Sequence, residues 1–549
     1  MPLENLHDAA LVLAISAIAS QILALLRDRI FAHIFGAGTA LDTYYAAFKI
    51  PDLLFTTVAS LVSVSVLIPY FTREIERDAH RAHEFLDSIF TVFFSLITIL
   101  SLLAFLFMPY IAPLVTPGFS LFARGEMIEL SRILLLATLF LGLSGYVSSI
   151  VHTFRHFLVS ALCPIFYNLG IILGALLLYP IFGLKGLVWG VVLGALFHLV
   201  IQLPVVINVG FFPKLIRRIA WSRVREVFLV SIPRTITLGV NQLVLIMITS
   251  MASFFAIGSI TVFNLALNLQ SVPLAVIGVS YSMSAFPTLS RLFISGERTA
   301  FAAQIGLAAR NIIFWSLPVT ALFIVLRAQI VRTILGTGAF DWTSTRLVAA
   351  SLAIFALSAL AQGLSFLFVR GYYASGNTRV PLLVNVFFGI AIIIFAFCLK
   401  FVFNESQMFR YFFETLFRVE GLSGTEVLML PLAFSIGAIG NALVYCLLFV
   451  KNYPKEVSSF FRTFRHTFYS SVLMGFVSYE CLAIFDNLFN LETLPGIFMQ
   501  GLLSGIIGII AGILLLRILK NEEIEELAVS LKRKFWKAQP VIPGPEEAR

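Results

Sequence analysis

Charge is scarce in this 549-residue chain: Asp, Glu, Lys and Arg together make up 12% of it, against about 25% in an ordinary soluble domain. That shortage excludes a soluble globular fold. It is sharpest between Ser231 and Lys400, where Glu297 and Asp341 are the only carboxylates, so no buried acid there can bind a driving cation. Cysteine is nearly absent as well. Cys163, Cys398, Cys446 and Cys481 lie scattered in apolar surroundings without metal-like spacing. They read as buried structural thiols and argue against disulfides, a redox centre or a metal site. The first eight residues hold Glu4 and Asp8 but neither Lys nor Arg, so the basic start of a cleavable signal peptide is missing and the first apolar run is expected to stay. No Gly-x4-Gly-Lys-Ser/Thr loop and no His-Glu-x-x-His helix occurs, and the eight His are dispersed; no enzyme and no cofactor is expected.

What is present is hydrophobic length, with 59% apolar residues. A membrane span needs about 20 of them in succession. Fourteen such runs are expected, at 8–35, 43–71, 86–115, 129–153, 159–181, 184–209, 226–256, 261–290, 303–333, 344–373, 380–403, 428–451, 464–486 and 494–519. The fold class is therefore an all-α polytopic membrane protein. Basic residues alternate between links: Lys214, Arg217, Arg218, Arg223 and Arg225 crowd the sixth-to-seventh link, and Lys451, Lys455, Arg462 and Arg465 the twelfth-to-thirteenth. Links 257–259 and 486–493 have none. This parity places both termini in the cytoplasm. The +9 net charge is thus a matter of topology, with membrane lipids as the generic partner and no nucleic acid.

Two halves repeat. Pro164 and Asn168 form Pro-x-x-x-Asn at the start of the fifth span, and Pro381 and Asn385 form it 217 residues later, in the eleventh; Pro69 and Pro287 are offset by 218. A shift of six spans preserves orientation, so the repeat is parallel, and transporters place substrate between such halves. Two pseudo-symmetric six-helix lobes are expected, an N-lobe at 1–225 and a C-lobe at 226–451, with helices 13 and 14 at 452–519 as an addition. The link 404–426, with Phe409, Tyr411, Phe412, Phe413 and Phe417, is expected to lie on the outer surface as an amphipathic element. In 520–549, Ile524, Leu527, Ala528, Leu531 and Phe535 share one helical face beside Lys532, Arg533, Lys534 and Lys537. That pattern predicts a cytoplasmic interfacial helix, followed from Pro540 by a disordered tail.

The densest polar stretch lies in the first two spans. Ions in hydrocarbon mark a pathway unless they meet a partner or the interface. Two roles are open to Arg27 and Asp28: a structural or snorkelling pair, or an anion ligand using the planar guanidinium. Gly36, Ala37 and Gly38 read as a helix end, with Asp42 capping the helix that follows. Pro51 removes a backbone donor and kinks the second span; Lys49 then points into a groove or snorkels. Arg234, Arg370 and Arg379 fall near the cytoplasmic side, where headgroup phosphates can hold them.

The run Leu26-Arg27-Asp28, Ala32, Phe35-Gly36-Ala37-Gly38, Asp42, Ala47-Phe48 and Ile50-Pro51-x-Leu53-Leu54 resembles the opening signature of the MurJ (MviN) lipid II flippases. Val369-Arg370-Gly371-Tyr372-Tyr373-Ala374, Asn377-Thr378-Arg379 and Pro381 resemble that family's motif between its tenth and eleventh helices. The resemblance implies the multidrug/oligosaccharidyl-lipid/polysaccharide exporter superfamily, with alternating access in the bacterial cytoplasmic (inner) membrane. The implied cargo is an undecaprenyl-pyrophosphate-linked glycopeptide, the peptidoglycan precursor. It implies Arg27, Asp28, Arg29 and Lys49 as substrate-binding residues. Gly36, Gly38, Asp42, Pro51, Asn268, Arg370, Asn377 and Arg379 would be structural or gating. The chain departs from the family at charged positions: Phe55 and Thr56 stand where two arginines are typical, Ser60 for an acid, Gln21 for the arginine of a Ser-Arg pair, Asn268 for an arginine and Asn377 for an Asp. Two alternatives go with those departures: an exporter of another polyprenyl-linked oligosaccharide or amphiphile, and a transport-inactive scaffold for cell-wall synthesis proteins.

Overall fold

Hydrocarbon offers no partner to peptide groups, so a chain this apolar must bond its backbone internally. The computed structural model describes residues 6–62, 64–154, 156–453, 457–527 and 529, and every regular element among them is helical. The first four helices are α1 (Leu6–Phe35), α2 (Thr39–Ala47), α3 (Lys49–Leu61) and α4 (Val64–Arg77). They are followed by α5 (Ala79–Val115), α6 (Leu121–Thr153), α7 (Phe157–Phe182), α8 (Leu184–Val209), α9 (Trp221–Ala252) and α10 (Ser259–Ile294). Next come α11 (Arg298–Val325), α12 (Arg327–Ile334), α13 (Trp342–Ala374), α14 (Arg379–Glu405), α15 (Gln407–Phe417), α16 (Thr425–Asn452), α17 (Val457–Asp486) and α18 (Leu494–Ile518). Twelve helices among the described residues are long and apolar enough to cross a membrane, and they match the third to fourteenth expected spans one to one.

The second expected span, 43–71, is three helices. The chain breaks at Phe48, just ahead of Pro51, and again at Val62. Pro51 has no N–H for the carbonyl of Ala47, and the Ser131 hydroxyl donates to that oxygen instead at 3.0 Å. At the second break Ser231 donates to Leu61 O and Ser149 to Val62 O. Hydroxyls on neighbouring helices thus replace the lost ladder bonds, which is how broken helices persist in a membrane.

Contacts divide the chain into two units. The first comprises 1–272, 330–358 and 376–441. Its core joins Leu67 and Phe71 of α4 to Phe85, Ile89 and Phe93 of α5, Tyr146 and Ile150 of α6 and Phe211. Outward, α5 presents Leu102, Phe105, Leu106 and Tyr110, as a lipid-facing helix does. The amphipathic element expected in 404–426 is α15, with Met408, Tyr411, Phe412 and Leu416 exposed on one side and Glu414 buried on the other, where it accepts from Arg410 and Thr425.

The second unit comprises 273–329, 359–375 and 442–549. The small-residue face of α18, with Gly508 and Gly512, lies against Ser470, Met474 and Ser478 of α17, the close approach that drives packing where there is no water to exclude. A helical turn at 522–527 follows. Here the tail differs from expectation: Ile524 and Leu527 pack on Phe314 and Leu516, because Glu523, 8% exposed, is tied to Thr463 at 2.6 Å and Arg310 at 3.5 Å. Ala528, Leu531, Phe535, the Lys/Arg cluster and the expected disordered tail lie outside the described residues. All four cysteines are free; Cys163 is buried as expected, while Cys398 is exposed on α14.

Candidate functional site

Arg27 sits two turns before the end of α1, and its side chain is 20% exposed. Nε and Nη2 donate to Asp28 Oδ1 at 3.0 and 2.8 Å, and Nη1 donates to Asn168 Oδ1 of α7 at 3.2 Å. Asp28 is 2% exposed, and its second oxygen accepts from Asn268 of α10 at 3.0 Å. Two of the five guanidinium N–H groups have no acceptor among the described residues. The Asn168 amide is itself oriented by a bond from Nδ2 to Pro164 O. That proline-to-asparagine spacing fixes where the arginine's partner stands.

Lys49, the first residue of α3, is 6% exposed and donates to Asn264 Oδ1 at 3.3 Å; Asn264 in turn donates to Ile260 O. Asn264 and Asn268 are one helical turn apart on α10, so one face of that helix meets both the lysine and the aspartate. Tyr44 packs edge-on against Phe31. Tyr45, an electrostatic neighbour of Arg27 and Asp28, has a buried hydroxyl without a partner among the described residues. Asp52 follows Lys49 by one turn on α3.

Asp42 differs from its expected role. Gly38, in extended backbone, is the residue that starts α2 at Thr39, so Asp42 lies within the first turn and is not the N-cap. Its carboxylate, 5% exposed, caps α10 instead: it accepts from Gly258 N at 2.7 Å, Thr261 N at 2.8 Å and Thr261 Oγ1 at 2.7 Å. A helix N-terminus carries unpaired N–H groups and partial positive charge, so a buried acid is stable there without a cation. Backbones meet tightly at the same end of this unit. A Cβ on Gly36 (φ +63°) would lie 2.4 Å from Ala339 O, and one on Gly258 (φ +93°) 2.4 Å from Ala37 O. Arg29 is turned to this seam, donating to the carbonyls of Thr333 and Ile334 at the end of α12. His33 Nδ1 lies 2.9 Å from Thr337 Oγ1, and Ala339 N donates to His33 O.

The remaining predicted residues are dispersed. Asn377 caps α14, accepting from the N–H groups of Arg379 and Val380, and Arg379 is exposed. Arg370 donates to Val279 O and Ser282 Oγ within the second unit. Ser60, at a position where an acid was expected, pairs its hydroxyl with Thr235 at 2.7 Å. Sequence reasoning missed Asn168, Asn264 and Tyr45 as members of the site. Their signal was an amide or hydroxyl inside an otherwise apolar run.

A family model described as lipid II flippase MurJ matches residues 31–500. A probable lipid II flippase MurJ of Rhizobium tropici is 28% identical over 382 residues, 67% of this chain and 70% of its own. The lipid II flippase MurJ of Burkholderia cenocepacia is 24% identical over 451 residues, 80% and 83% of the two chains. Among solved structures, a lipid II flippase MurJ in an inward closed conformation superposes with a TM-score of 0.73 at 23% identity, covering 94% of this chain and 100% of that one. An inward-facing multidrug resistance MATE family transporter of the MOP superfamily gives 0.63 at 15% identity, covering 80% and 96%. At these identities the two structural likenesses show a shared fold.

Proposed function

We infer the activity from one premise: the chain belongs to the lipid II flippase MurJ family. It is a multi-pass bacterial inner-membrane protein that moves lipid II from the inner to the outer leaflet. The family match over 31–500 leaves the alternatives, another exporter or an inactive scaffold, without support of their own. Both termini are proposed to lie in the cytoplasm, which the basic links support, and two lobes of six helices related by the 217-residue offset are the proposed moving parts. Cell-wall synthesis proteins are proposed as partners.

The observation that carries the site assignment is an excess of donors. Arg27 keeps two N–H groups, Lys49 spends one of three on Asn264, and the Tyr45 hydroxyl has no partner among the described residues. Buried donors without acceptors are costly, about 1–3 kcal/mol each, and a diphosphate is rich in acceptors. Arg27 and Lys49 are the proposed ligands, Asp28 fixes the plane of the guanidinium, and Arg29 joins them only when the seam at Thr333 opens. Asp42 and Gly36 are proposed as gating residues, because access from that end requires the α10 N-terminus to come off its carboxylate. Gly38, Pro51, Asn268, Arg370, Asn377 and Arg379 hold the frame.

The test is to deplete a bacterium of its own flippase, express this chain, and measure cleavage of lipid II by an enzyme added outside the cells. Restored cleavage is expected. Cleavage that stays at the depleted level with the protein present in the membrane would reject the assignment.

A further inference from the structure

Gly210, in left-handed backbone (φ +82°), ends α8 and leads into a non-helical segment, 211–220, that is held against α5. Side chains of α5 hold that segment by its backbone: Asp87 accepts from Lys214 N at 2.8 Å, Thr91 from Ile216 N at 3.0 Å and Ser88 from Ala220 N at 3.1 Å. The His83 ring stacks on Phe211 at 4.4 Å. Between the start of α5, the end of α8 and this link lies an open cavity of about 360 Å³, lined by His83, Ile207, Gly210, Phe212 and Lys214.

The lining has two sides. His83 and Lys214 supply nitrogen donors, and no carboxylate is among the lining residues; the nearby acids are engaged, Asp87 by Lys214 N and Glu84 by Arg223. Ile207 and Phe212 are 59% and 47% exposed, large apolar groups left open beside a cation. Arg217 and Arg218 follow on the same segment and are exposed. A free inorganic anion has no use for the apolar wall, and a neutral apolar ligand has none for the cations. We propose that this cavity binds the phosphodiester headgroup of an anionic phospholipid, with phosphate at Lys214 and His83 and the glycerol and first acyl carbons along Ile207 and Phe212. The site belongs to the first unit alone and stands apart from Arg27 and Lys49, so it does not depend on the cargo.

Each cation near an anionic headgroup contributes about fivefold in affinity. The test uses the full chain, delipidated in detergent and titrated with phosphatidylglycerol, with bound lipid counted by native mass spectrometry. Wild type is expected to retain one phosphatidylglycerol more tightly than phosphatidylcholine. Lys214→Gln should weaken that first binding step about fivefold, and Lys214→Gln with His83→Gln, which also removes a ring donor, should weaken it further, whereas Lys185→Gln, which breaks the exposed pair with Glu129, should leave it unchanged. Equal retention in the double variant, equal affinity for phosphatidylcholine, or displacement by millimolar inorganic phosphate would each overturn the proposal. Unchanged binding of a second, weaker lipid shows that the double variant is folded.

Discussion

Asn168 and Asn385 occupy the same place in the two copies of one sequence device, four residues after a proline near the start of a helix, yet they hold different things. Asn168 accepts from the guanidinium of Arg27. Asn385 accepts from the amide of Asn441 at 3.0 Å. The Pro-x-x-x-Asn spacing recurs and the charge does not: the copy on α7 supports an ion, and the copy on α14 supports a neutral pair between α14 and α16. A sequence repeat therefore marks the position, while the partner found across the helix interface says which copy holds a charged group.

The contrast can be broken most severely at the ion itself. Arg27→Gln leaves Asp28 buried with one amide donor and should cost about 3–5 kcal/mol, read as a fall in the denaturation midpoint of the purified protein, together with loss of flipping. Adding Asp28→Asn should return most of the stability and none of the transport. Asp42→Ala comes next, at about 3 kcal/mol, since it strips acceptors from Gly258 N and Thr261 N. A cysteine pair placed across that seam should then cross-link more slowly. Asn168→Leu should cost about 2 kcal/mol, the scale of a hydrogen bond to a charged group, and reduce outer-leaflet lipid II. Asn385→Leu, its counterpart, should cost about 1 kcal/mol and leave flipping near wild type. If the two asparagines proved interchangeable in transport, the distinction between the copies would fail.

Tyr45→Phe sharpens the contrast with the smallest change in stability. Removing a buried hydroxyl that has no partner should be neutral or stabilising by about 1 kcal/mol, while flipping falls. A loss of stability equal to that of Asn168→Leu would mean that the hydroxyl serves the fold instead of the cargo.

Much of the fold was legible because the hydrocarbon imposes length and hydrophobicity directly: the last twelve spans, the helix end at Gly36 and the amphipathic α15 all followed from runs and spacing. The break at Val62 was not legible, because Ser149 and Ser231, which satisfy it, come from other helices. Ile524 was read as part of an interfacial face for a similar reason; its neighbour Phe314 is distant in sequence. In the site, Arg27, Asp28 and Lys49 announced themselves by charge, whereas Asn168 and Asn264 are neutral and gave only their polarity. Asp42 was assigned to the nearest helix start because capping is usually local. Its true partner lies 216 residues on, and only tertiary structure could supply it.

Arg27 is the proposed anion ligand, beyond its pairing with Asp28. In cells depleted of their own flippase, and at matched membrane levels of the variants, outer-leaflet lipid II should be absent with Arg27→Gln/Asp28→Asn and partly restored with Arg27→Lys, which keeps the charge and loses the fork. Wild-type lipid II exposure in the uncharged double variant would contradict it.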